Sequence, residues 1–170
     1  MVIATIFLVL PLCLCLAAAT DLLSMTIPNR LSVIIFVGFL AAAPFTGMDM
    51  NSFLMSLAAG LIVLLASFAL FSANVMGGGD AKLLSACAVW FGFNPALVEF
   101  LLAVTLVGGV LTVAILLLRS RVQEITAIGI PIPDSLLVAK KIPYGVGIAV
   151  AGLLTYGEAP IVKTAIASLF

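Results

Sequence analysis

Histidine does not occur in this chain, and charge is scarce: seven basic and seven acidic residues in 170. The first absence removes imidazole metal sites and imidazole general bases. The second removes the solvated exterior of an ordinary soluble domain, in which about a quarter of residues are charged. The few basic residues are scattered rather than gathered into a patch, which argues against nucleic acid as a partner. Cysteine occurs three times, at Cys13, Cys15 and Cys87, always inside apolar sequence. There it acts as a small hydrophobe; no zinc spacing is present and no disulfide is expected. No stretch rich in serine, proline or charge divides the chain, so one domain covering 1–170 is expected.

What remains is hydrocarbon. The chain is 65% hydrophobic with a mean hydropathy of +1.41, and Met1–Thr20 and Phe53–Val75 carry no charge at all. Runs of that length span a bilayer. Backbone polar groups in lipid must be paired internally, and no alternating strand pattern is visible, so the fold class is all-α: a polytopic membrane bundle of about six transmembrane helices. The expected spans lie near 1–20, 29–45, 53–74, 80–93, 95–118 and 142–157, with the tail from 158 to 170 as a continuation of the last helix. Gly92-Phe93-Asn94-Pro95 supplies the turn that splits the apolar stretch from Leu83 to Leu118. The second, fourth and sixth spans are short for ~30 Å of hydrocarbon. With no basic residues ahead of the first run and more spans behind it, that run reads as a retained helix. Trp90 and Tyr156 fit interfacial anchors, and Glu99 fits the outer interface.

Six spans place Arg30, Lys82, Arg119, Arg121, Lys140 and Lys141 on one face and Lys163 on the other. The positive-inside rule makes the first face cytoplasmic, with both termini outside. The long polar segment from Arg119 to Lys141 falls on the same face, its stretch from Ile128 to Pro133 resting on the membrane interface.

Parity then brings two carboxylates together. Asp21 closes the first span and Asp80, behind Gly77-Gly78-Gly79, precedes the fourth, so both emerge on the cytoplasmic face. Two aspartates about 4 Å apart repel by roughly 4 kcal/mol at an effective dielectric near 20, enough for the pair to share one proton. Such a pair takes a proton from water with one carboxylate and gives one to a peptide carbonyl with the other. The glycines allow close backbone approach and dihedrals closed to other residues. Taken singly, each feature has a plainer reading: glycines serve helix packing, and an aspartate at a helix N-terminus is a favourable cap. A small transporter or proton channel using Asp21 and Asp80 as a relay is the alternative function. Against it, no internal repeat is evident and both aspartates sit at span ends rather than midplane.

Asp21, then Ile27-Pro28-Asn29-Arg30-Leu31, then Gly77-Gly78-Gly79-Asp80-Ala81-Lys82-Leu83, and finally Pro143-Tyr144-Gly145 together resemble the type IV prepilin peptidases, bacterial GxGD intramembrane aspartyl proteases. Gly77-Gly78-Gly79-Asp80 reads as GxGD with Gly78 in the variable place. The resemblance covers essentially the whole chain. It implies that Asp21 and Asp80 are catalytic, with Gly77, Gly78, Gly79, Lys82, Pro28, Asn29, Pro143, Tyr144 and Gly145 supporting them. It implies a prepilin as substrate, with a basic leader followed by an apolar helix, cut at the cytoplasmic face of the inner membrane. The cytoplasmic region with paired CxxC motifs that larger members carry for N-methylation is missing. The chain is therefore similar to the compact enzymes of Tad/Flp-type pili, and neither a methyltransferase activity, a cofactor nor a metal is expected. Oligomeric state is left open by the sequence.

Overall fold

The computed structural model describes residues 2–122 and 142–167. Within them the chain forms seven α-helices and no strand: α1 Val2–Ser24, α2 Asn29–Ala42, α3 Met50–Ser72, α4 Gly78–Phe91, α5 Pro95–Ser120, α6 Tyr144–Thr155 and α7 Pro160–Ala167. The expected interfacial stretch from Ile128 to Pro133, with Lys140 and Lys141, lies outside the described residues.

The helices wear their apolar side chains outward. Leu8, Leu12 and Leu16 form one exposed stripe on α1, and Leu102, Leu106, Val110, Val113 and Leu117 populate the outside of α5. A soluble bundle would hide these residues; in a bilayer they meet lipid. Three helical stretches, Ile6–Ser24, Met50–Ser72 and Pro95–Ser120, are long and apolar enough to cross a membrane, and α6 with its short extension and α7 makes a fourth if counted as one bent span.

At the centre stands α4. Every residue of it from Asp80 to Phe91 is buried except Lys82. Its 14 residues extend about 21 Å, less than the hydrocarbon thickness. The shortfall costs little because neighbouring helices, not lipid, surround it. Small residues make this possible: a Cβ on Gly60 of α3 would fall 2.3 Å from Val89 Cγ2 of α4, the kind of close approach that holds helices together in membranes. On the other side, α6 lies against α1 and α5. There, a Cβ on Gly147 would meet the Gly108 backbone at 3.3 Å, and one on Gly152 would meet Leu14 at 2.8 Å.

Several expectations need correction. Trp90 is no interfacial anchor; it is 1% exposed, donates its indole N–H to the Ile35 carbonyl at 2.9 Å and meets Phe39 edge to face. A buried indole is tolerated because its one polar group finds a backbone acceptor. The first helix does not stop before Asp21 but runs one turn further, to Ser24. The tail does not continue the sixth helix straight: Ala159 is extended and α7 departs at 43°. The expected turn does split α4 from α5. Gly92 takes φ +67°, a left-handed conformation that favours glycine, and Asn94 caps α5 by accepting from the Ala96 amide at 2.8 Å.

Candidate active site

Asp21 sits on the last full turn of α1 and is 5% exposed. Its Oδ2 accepts the Gly145 amide at 2.7 Å, a bond between residues 124 apart in the chain. The reason lies in α6. A helix leaves its first amides without intrahelical acceptors, and the residue preceding α6, Pro143, has no side chain to take one. Asp21 supplies that acceptor from another helix, at the end where the helix dipole favours negative charge. The fit is tight. A Cβ on Gly145 would stand 2.8 Å from Asp21 Oδ2 and 2.6 Å from Ile27 Cδ1.

Asp80 is the third residue of α4 and is 9% exposed. The glycines before it were expected to use dihedrals closed to other residues, but Gly77 is ordinary extended backbone at φ −73°, ψ 145°, and none of the three has positive φ. They are glycines for want of room. A Cβ on Gly77 would fall 2.6 Å from Asp80 Oδ2, one on Gly78 would press the Phe71 ring at 3.3 Å, and one on Gly79 would stand 3.1 Å from Ile27 Cβ.

Ile27 therefore lies between the start of α4 and the start of α6, touching the backbone beside each aspartate. Both aspartates open on one cavity of ≈620 Å³ at the end of the bundle, walled also by Met25, Asn74, the glycine run and Tyr144. The ends that form it are the C-termini of α1 and α3 and the N-termini of α2, α4 and α6. Two of those C-termini stop in left-handed residues, Met25 at φ 51° and Asn74 at φ 59°, which turn the chain sharply into the cavity wall.

The remaining expected residues are nearby. Asn29 borders the cavity and accepts from Lys82 Nζ at 3.0 Å. This bond joins the start of α2 to the first turn of α4. Pro28, extended at ψ 131°, precedes α2, and Tyr144 rests its ring over Gly108, whose added Cβ would be 3.3 Å away. Lys82 itself is exposed and does not wall the carboxylate cavity. Among the described residues no three His, Cys, Asp or Glu side chains gather as metal ligands.

The family model of the type IV leader peptidases matches residues 8–113, more than half of the chain. The chain belongs to the type IV leader peptidase family. No match was found among curated proteins or solved structures. The matched stretch contains Asp21, Asn29, Gly77–Gly79, Asp80 and Lys82, whereas Pro143, Tyr144 and Gly145 lie beyond it. For this leader peptidase it is the fold, through the bond from Gly145 to Asp21, that draws the last three into the same place. Ile27 opens the motif from Ile27 to Leu31 that carries the resemblance but had no expected role of its own, and Gly108 carried no expectation. Only their three-dimensional neighbours distinguish them.

Proposed function

We propose that Asp21 and Asp80 are the catalytic pair of an aspartyl endopeptidase that removes the basic leader from Tad/Flp-type prepilins at the cytoplasmic face of the inner membrane. The observation that carries this reading is that two buried carboxylates, from helices far apart in sequence, line one cavity at one end of the bundle. With one proton shared between them, the ionised carboxylate takes a proton from water as the oxygen attacks the scissile carbonyl, and the protonated one gives its proton to the carbonyl oxygen. The tetrahedral intermediate then collapses: the carboxyl that took the water's proton gives it to the nitrogen as the C–N bond breaks, and the other takes a proton from a hydroxyl of the intermediate. This leaves the new N-terminal amine, the cleaved leader's carboxyl group and the pair again sharing one proton. Location at the end of the bundle, rather than halfway along it, favours hydrolysis over a relay that conducts through the bilayer. Purified protein incubated with a prepilin should yield a product whose mass and N-terminal sequence report one cut between leader and apolar helix; an intact prepilin would overturn the reading.

The face is testable separately. With the native cysteines changed to alanine, a cysteine replacing Ser120, exposed at the end of α5, should react with a membrane-impermeant thiol reagent only after the cytoplasmic side is opened. One replacing Asn51, exposed in the first turn of α3, should react from outside. The reverse pattern would invert the orientation.

The product should carry an unmodified amine. Supplied with S-adenosylmethionine, the purified enzyme should give only the cleaved mass, since the chain has no paired-cysteine region and a transferred methyl would add ~14 Da. A product heavier by one methyl would reveal a second activity.

A further inference from the structure

A second cavity, ≈680 Å³ and almost wholly apolar, runs along the outside of α4 between α2 and α3. Each helix gives it one stripe at i, i+3, i+4 and i+7: Lys82, Ser85, Ala86 and Val89 from α4, and walls of the same spacing from Asn29 to Phe36 on α2 and from Leu57 to Leu64 on α3. The floor is small, with Gly60, Ser85 and Ala86, while Val33 and Leu61 on the rims are 57% and 56% exposed. At the far end the walls meet where Phe39 of α2 stacks on Phe53 of α3 at 6.0 Å. At the near end lie the polar groups, Ser32, Ser85 and the bonded pair Asn29 and Lys82. Asn29 borders both this groove and the carboxylate cavity.

We infer that this groove receives the first two turns of the substrate's apolar helix, the part that follows the scissile bond. The inference rests on the peptidase reading. The eight residues from first to last on each wall helix are seven rises apart, about 10 Å or two helical turns. A floor of small residues lets an incoming helix pack closely, and the groove is polar only where it joins the carboxylate cavity. A chain that is extended and polar at the cut and helical and apolar beyond it matches that gradient. Lys82 and Asn29 stand at the junction, where the substrate changes from one form to the other.

The test is photocrosslinking in membranes with a full-length prepilin. A benzophenone side chain at Val33 or Leu61 should capture the prepilin through its apolar helix, several-fold more than one at Leu106 on α5 or Leu154 on α6, both exposed elsewhere. Ser85→Phe, which fills the groove from its floor, and Val33→Trp, which fills it from an exposed rim without disturbing the core, should each reduce capture at Leu61 about tenfold, equivalent to ~1.4 kcal/mol of binding. Equal capture at all four positions, capture of lipid or of a second copy alone, or undiminished capture in both filled variants would overturn the inference. Leader cleavage by the unfilled enzyme separates the two readings: cleavage without groove capture removes the groove alone, and absence of cleavage removes both.

Discussion

Asp21→Asn and Asp80→Asn should each slow leader cleavage by roughly 10²–10⁴-fold or more, while the protein still accumulates in the membrane. The comparison is informative because Asp21 has an evident structural job. It accepts the Gly145 amide and so completes the N-terminus of α6. Asparagine keeps an oxygen in that place and retains the bond, as it does at ordinary helix caps. What it removes is the capacity to hold or release a proton. If Asp21 served only α6, the asparagine variant would be nearly silent; if it belongs to the chemistry, activity falls while thermal stability is kept. Asp21→Ala removes both roles, and should add a stability loss of ~1 kcal/mol. The double variant Asp21→Asn with Asp80→Asn should be little worse than either single one, since groups acting as a unit lose their effect together. Cleavage of a prepilin at the unaltered rate by either single variant would remove the pair from the mechanism.

That both aspartates line one cavity is what parity led the sequence reading to expect. Spans running in the same direction end on the same face, and that counting does not depend on boundaries being right. The boundary differs: Asp21 lies within α1, which continues to Ser24, yet it still lines one cavity with Asp80. The turn at Gly92 and Asn94 was equally readable, since a left-handed glycine followed by a capping asparagine and a first-turn proline is a local pattern. Trp90 shows the limit of that approach. An indole near a span end suggests an interface, but whether it faces out or in depends on Phe39 and on the Ile35 carbonyl, both contributed by another helix. The glycine run illustrates the same point from a different side. Local reasoning assigned it a dihedral role, whereas the cause is crowding by Asp80, Phe71 and Ile27, the last of them remote in sequence.

Crowding makes the sharpest prediction at Gly145, where local and tertiary physics have opposite signs. Gly145 is in the first turn of α6, and in a helix alanine is better than glycine by about 1 kcal/mol. On propensity alone Gly145→Ala should be neutral or stabilising. The new methyl carbon, however, would stand 2.6 Å from Ile27 Cδ1 and 2.8 Å from Asp21 Oδ2, closer than non-bonded carbon and oxygen can sit. The side chains or the start of α6 must move, and either motion displaces the Asp21 carboxylate from the position its amide bond now holds. Displacement of a reacting group by an ångström costs about 10²-fold in rate. A drop in kcat/KM of that order, with the protein still folded, is therefore expected. Gly109→Ala, made in α5 where an added Cβ meets nothing within 4 Å, should leave cleavage unchanged and serves as the control. Shortening Ile27 to alanine in the Gly145→Ala background removes one of the two collisions, so it should restore part of the lost rate even though Ile27→Ala alone opens a gap. That sign of coupling is what neighbouring side chains in one crowded site produce. Simple additivity of the two substitutions, or full activity in Gly145→Ala, would show that the contact between α6 and Asp21 does not govern the reacting geometry.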